Sequence, residues 1–231
     1  MPPCGFGNRL LYYYNLRQEA VERNCKFLSI PWSGHEHFEG NLLGEPEYNE
    51  ECEVLDFCLG DQFYKYNNLS TREVFRLKNK PSVKDNTCAV HFRGTDFHSW
   101  NPDSILSPQY YYDAIEKIVD QVSSFILFTD DDSLESYANV IKLLDKYGIE
   151  FIIGENVSNR SRYINDFATM SECDWIISSP STFCITSGFI GKSKNIIHSK
   201  EWIKNRIDNE DKFWKDLYDG GNQNYSLWEV I

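Results

Sequence analysis

From about residue 86 onward, short unbroken apolar runs alternate with longer segments whose apolar residues recur every three to four positions. The runs are Thr87-Cys88-Ala89-Val90-His91-Phe92, Phe125-Ile126-Leu127-Phe128, Ile149 to Ile153, Trp175-Ile176-Ile177 and Asn195-Ile196-Ile197. Residues 107–122, 133–146, 162–172 and 181–190 are the amphipathic segments between them. Strands without a polar side must be covered on both faces, and a parallel sheet wrapped by crossover helices covers them. The pattern therefore predicts an α/β fold with a doubly wound parallel sheet. The punctuation agrees: Ser107-Pro108 suits a helix start, and Gly148 and Gly191 suit helix ends.

The first third is less regular. Leu10 to Val21 reads as a helix opening just after Gly5-Phe6-Gly7-Asn8, and Lys26 to Ile30 as a strand. Residues 33–61 read as loops, and Ser70 to Lys78 as a helix capped by Ser70 or Thr71. Residues 201–219 read as a Trp-rich helix. Three units are expected. Residues 1–83 form a compact first half, 84–200 the doubly wound domain, and 201–231 a helical segment that packs back on the first half.

Composition removes several classes. Fourteen Tyr, fifteen Phe and six Trp in 231 residues exclude a disordered chain. No apolar run reaches about 18 residues, so no transmembrane helix is expected. The N-terminus Met1-Pro2-Pro3-Cys4 does not begin a basic-then-apolar leader, and a cytoplasmic location is the expectation. The net charge is −12, and residues 33–61 hold nine acids and no Lys or Arg. Long-range repulsion then opposes nucleic acid, while a small anion needs only a local set of donors. Seven cysteines without a CxxC spacing argue against a disulfide framework; Cys88, Cys173 and Cys184 read as buried small hydrophobes. His35-Glu36-His37 lacks a third ligand at helical spacing, so no metal is assigned there. Sequons stand at Asn68, Asn156, Asn159 and Asn224.

In doubly wound sheets ligands bind beyond the carboxyl ends of the strands, near helix N-termini. His91-Phe92-Arg93-Gly94-Thr95-Asp96 follows the first run, with His91 and Arg93 on one face of an extended segment. Arg93 suits a two-pronged grip on phosphate, or an ion pair with Asp96 that closes the loop. Thr129-Asp130-Asp131-Asp132 follows the second run and reads as helix capping or as a DxD metal site. Asp166 caps a helix or accepts bonds from a base edge or ribose. Ser178-Ser179-Pro180-Ser181-Thr182-Phe183 offers hydroxyls and free N–H groups at a helix start, as a simple cap or as an anion site. Gly5 and Gly7 let backbone approach a ligand closely, without the third glycine of the dinucleotide fingerprint.

In order, the chain carries Gly5-Phe6-Gly7-Asn8-Arg9, Val90-His91-Phe92-Arg93-Gly94-Thr95-Asp96, Phe128-Thr129-Asp130-Asp131, then Asp166 to Asp174 leading to Ser181-Thr182-Phe183. This succession resembles the GDP-fucose-dependent fucosyltransferases of the GT-B fold, the α1,2-, α1,6- and protein O-fucosyltransferases. Gly94 stands where that family often has a second Arg, and only four residues precede the Gly-rich loop.

The resemblance implies two Rossmann-like halves, the first on the acceptor side and the second holding GDP-fucose. It implies that Arg93 binds the diphosphate and stabilises the leaving GDP. His91 and Asp166 would read guanine or its ribose, and Ser181, Thr182 and Phe183 would hold phosphate. Gly5, Phe6, Gly7 and Asn8 would cover the donor, with Asn8 near the fucose or acceptor. Asp130 joins the donor set, and Asp96 or the acidic loop is the place for a general base. The implied reaction is inverting, metal-independent transfer of L-fucose to a glycan hydroxyl. It has no cofactor besides the donor substrate, and an oligosaccharide or glycan acceptor is the partner. Three other readings stay open: a nucleotide-sugar transferase with a metal at Asp130 and Asp132, a non-catalytic nucleotide- or carbohydrate-binding module, and a purely structural domain whose His, Arg and Asp residues close loops.

Overall fold

The computed structural model describes residues 5–32, 34–44, 72–155, 163–193, 195–208 and 228–230. Six strands, β1 Thr87–Phe92, β2 Ser124–Thr129, β3 Phe151–Ile153, β4 Trp175–Ile177, β5 Asn195–His198 and β6 Trp228–Val230, form one sheet. The helices are α1 Phe6–Glu22, α2 Phe97–Trp100, α3 Pro108–Ile118, α4 Glu135–Tyr147, α5 Tyr163–Ser171, α6 Thr182–Ile190 and α7 Lys200–Asp208. Every strand pair is parallel, and the order is β3-β2-β1-β4-β5-β6. The chain builds outward from β1 to β3, then returns to lay β4 on the other side of β1. The order reverses between β1 and β4, and such a point opens a crevice at the strands' carboxyl ends.

β1, β2, β4 and β5 are buried because alternate residues enter two separate cores; β3, expected from Ile149 as a run covered on both faces, starts at Phe151 and leaves Ile152 and Ile153 exposed. Cys88, Val90 and Phe92 of β1 join Phe125, Leu127, Ile177 and Ile197 under α3 and α4. Ala89, Ile126, Ile176 and Ile196 join the opposite core, under α1, α5, α6 and α7. All six residues of β1 and of β2 are buried, as the apolar runs require. Pro108 opens α3, and Gly148, at φ +65°, ends α4 in the left-handed conformation that L side chains resist.

Four expectations change. Lys26 to Ile30 forms no strand; there the Ser29 amide donates to the Leu43 carbonyl at 3.0 Å. A strand needs a neighbour, and the described residues before β1 hold only an isolated bridge, Phe38 to Leu77. That bridge also shortens the helix expected over 70–78. Residues 72–74 are helical, Phe75 and Arg76 are not, and Ser70 and Thr71 lie outside the described residues. The helix expected over 201–219 is seen as α7 to Asp208, and residues 209–219 lie outside the described ones. Within 201–231, residues 228–230 are a strand on β5, not helix. No second sheet is seen among the described residues before β1; α1 and the loops after it bury Leu10, Tyr13, Trp32 and Phe38 in the same core as β4 and α6. No helix among the described residues is long and apolar enough to cross a membrane.

Candidate functional site at the β1–β4 crevice

Three groups of residues meet at the crevice. The first is the loop after β1. Arg93 bonds Asp96 Oδ1 through one terminal nitrogen at 2.7 Å and Asp130 through the other, and its guanidinium lies 5.5 Å over the Phe97 ring. Asp130 is anchored independently. Its Oδ1 accepts the Gly94 amide at 2.8 Å and its Oδ2 the Thr95 hydroxyl at 2.6 Å. Of the two sequence readings of Arg93, the ion pair with Asp96 is the one seen here.

The next acid serves the loop. Asp131 accepts from the Ser133 hydroxyl at 2.5 Å and the Ser133 amide at 3.0 Å, and pairs with His98 Nε2 at 2.9 Å. The Ser133 hydroxyl, more than His98, holds the Asp131 carboxyl below the usual carboxylate range. This packing accounts for Gly94. A Cβ there would stand 2.6 Å from the Asp131 side chain, so a larger residue would have to push that carboxylate out of its bonds. Among the described residues, no three His, Cys, Asp or Glu side chains gather as a metal site.

The second group stitches the strand ends together; His91 and the Ser178–Phe183 turn were candidates in the sequence, but their pairing was not legible there. His91 Nδ1 and Ser179 Oγ lie 2.7 Å apart, tying β1 to the turn after β4. The preceding Ser178 faces the other way, and its Oγ lies 2.8 Å from His198 Nδ1 on β5. Tyr110 donates its hydroxyl to the Ser178 and Ile197 carbonyls, and Tyr111 to the His91 carbonyl. Burial drives the His91 pKa down to about 4, against the pull of Asp130, with Arg93 adding to the fall; burial alone drives His198 to about 3. Both rings are neutral at pH 7. The only local signal was a pair of serines after one apolar run and a histidine at the end of the next.

The third group joins two segments far apart in the sequence. The N-terminus of α1 lies against the N-terminus of α6. A Cβ on Gly7 would stand 2.5 Å from the Phe183 amide nitrogen and against the Thr182 carbonyl, so only glycine allows this approach. The Thr182 hydroxyl donates to Asn8 Oδ1 at 2.6 Å across 174 residues of sequence. Gly5 and Ser181 hold the two N-cap positions, and neither helix start has a side-chain cap bond. Each carries unpaired N–H groups and a partial positive charge in its first turn. Phe6 and Phe183 wall the junction, with Phe183 6.0 Å from the His91 ring and 5.2 Å from Phe167.

Of the expected residues, Phe6, Gly7 and Asn8 meet Thr182 and Phe183, with Gly5 and Ser181 at the two N-caps and His91 beside Phe183. Arg93, Asp96 and Asp130 form the adjoining charged loop. Asp166, on α5, is buried with Oδ1 accepting the Glu155 amide at 2.8 Å just past β3, and the next residue, Phe167, packs on Phe6 and Phe183. That bond caps the turn from β3 toward α5. Comparison with protein-family models, with curated proteins and with solved structures found no match for this chain.

Proposed function

We infer that the chain is a glycosyltransferase that moves L-fucose from GDP-fucose to a glycan hydroxyl, with inversion and without a metal. One observation carries the reading. Two helix starts without a side-chain cap bond, 174 positions apart in sequence, are held together beside His91, two residues before Arg93, where the strand order reverses. Like partial charges repel, so such a junction gains most from an anion of the size and charge of a diphosphate. The motif order adds the nucleotide and the sugar.

In this mechanism the donor's diphosphate lies along the first turns of α1 and α6 and reaches Arg93. The acceptor oxygen attacks the anomeric carbon from the face opposite GDP. The bond from that carbon to the β-phosphate oxygen breaks, and its electron pair leaves with GDP. The acceptor's proton passes to a carboxylate. Arg93 and the helix N–H groups are oriented before charge develops, the condition under which electrostatics lowers a barrier most. Asn8, fixed by Thr182, stands where the first half would meet the sugar. In the GT-B form of the reading, residues 1–83 make the acceptor side and the acidic stretch 33–61 faces the acceptor.

The closed Arg93–Asp96–Asp130 network supports a second reading, a nucleotide-binding module without turnover. Calorimetric titration with GDP, GDP-fucose and UDP, with and without EDTA, separates the possibilities. Selective GDP binding that survives EDTA is the expected result. Preference for UDP, or loss with EDTA, would shift the reading to the metal-dependent transferase. Binding without transfer would leave the module, and no nucleotide binding would end both. Arg93→Ala is expected to lower turnover about 10²–10³-fold, and full activity in that variant would remove Arg93 from the mechanism.

A further inference from the structure

The two carboxylates on Arg93 are not equivalent. Asp130 is nearly buried, and each of its oxygens has a donor other than Arg93, the Gly94 amide on Oδ1 and the Thr95 hydroxyl on Oδ2. It stays in place whether or not Arg93 is there. The Asp96 side chain is 59% exposed, and besides Arg93 it meets the Thr95 hydroxyl at 3.4 Å. Its backbone is fixed, because the Asp96 carbonyl accepts the Trp100 amide at 2.9 Å and the Ser99 hydroxyl at 3.1 Å. Only its side chain has to turn for the carboxylate to leave Arg93 and return to water. An exposed ion pair is weak, whereas a phosphate meets a guanidinium with two charge-assisted bonds.

We propose that Asp96 is a displaceable gate: its carboxylate occupies the nitrogen of Arg93 that the ligand's phosphate takes, while Asp130 keeps the guanidinium aimed. The proposal rests on the reading of Arg93 as a phosphate-binding residue and names how that site is regulated. Arg93 is thereby held ready and neutralised in the empty protein, and a ligand must carry more negative charge than one carboxylate to open it. Monoanions are poor competitors for that position, and diphosphates are good ones.

The test is calorimetric titration of the whole chain with pyrophosphate and with GDP. Asp96→Asn keeps the shape and removes the charge, and is expected to bind pyrophosphate about three- to tenfold more tightly. Asp103→Asn removes the same charge from the same loop, at a residue with no ion pair to Arg93, and is expected to stay within about twofold of the unaltered chain. Pyrophosphate binding by the unaltered chain that Asp96→Asn does not tighten overturns the gate and leaves the anion site standing. Equal tightening by Asp103→Asn also overturns it, since the effect is then long-range charge. Failure of every variant to bind either probe overturns the anion site and the gate with it.

Discussion

The two sides of the crevice are built from opposite materials. One side is neutral and buried: the strand ends joined through His91–Ser179 and Ser178–His198, and the α1–α6 junction closed on Gly7. The other is charged and half open: Arg93 between Asp96 and Asp130. A buried side resists change because any movement breaks packing or strands a polar group. A charged, hydrated side rearranges at little cost because water replaces a lost partner. The contrast assigns shape to the first side and exchange to the second.

Acid should strike the buried side hardest. His91 and His198 have folded pKa values of about 4 and about 3, below the ordinary 6.5, so the unfolded chain takes up protons that the folded chain refuses. Their stabilising effect is complete above pH 6.5 and is lost as pH falls toward the folded values. Between pH 7 and pH 5 the loss is about 4 kcal/mol for the two together, at about 1.4 kcal/mol per unit for each. Urea unfolding at the two pH values measures it. A flat profile over that range would mean that the rings are not held neutral.

The next effect belongs to the junction. Gly7→Ala drives a methyl group into the Thr182–Phe183 peptide, where backbone cannot yield as a side chain tip can. Overpacking of this kind costs about 3 kcal/mol, or about 10 °C in melting temperature for a chain of this size. The same variant should lose GDP affinity, because separated helix starts no longer share one anion. A variant that melts lower but binds GDP unchanged would detach the junction from the ligand.

The smallest effect sharpens the comparison. Thr182→Val removes one partly buried hydrogen bond to Asn8 and costs about 1 kcal/mol, or a few degrees in a melt. If Asn8 is a positioned part of the site, KM for the acceptor should rise more than that for the donor. Equal changes in both would make the bond purely structural.

The sheet was legible in the sequence because burial on both faces leaves no polar alternation to hide a strand; β1 and β4 match their apolar runs residue for residue. The exceptions are instructive. Lys26 to Ile30 has the right residues for a strand and no neighbour to pair with, whereas Trp228–Val230 is only three residues long and pairs because β5 offers it an edge. Gly5–Asn8 and Ser181–Phe183 were each visible as a helix start, but not their meeting. The Ser178 and Ser179 partners were invisible, since the direction each hydroxyl takes depends on which strands flank β4.

By itself, then, the sequence determined the buried runs of β1, β2 and β4 and the helix boundaries marked by Pro108, Gly148 and Gly191, because those properties depend on residue type and spacing within a few positions. The tertiary structure decided what lies next to what: the reversal between β1 and β4, the histidine each serine meets, the contact of α1 with α6, and the partners of Arg93. The serine–histidine pairs and the helix contact join residues 20, 88 and 174 positions apart. The free energy that selects them comes from packing and ion pairing that exist only once the chain has closed on itself.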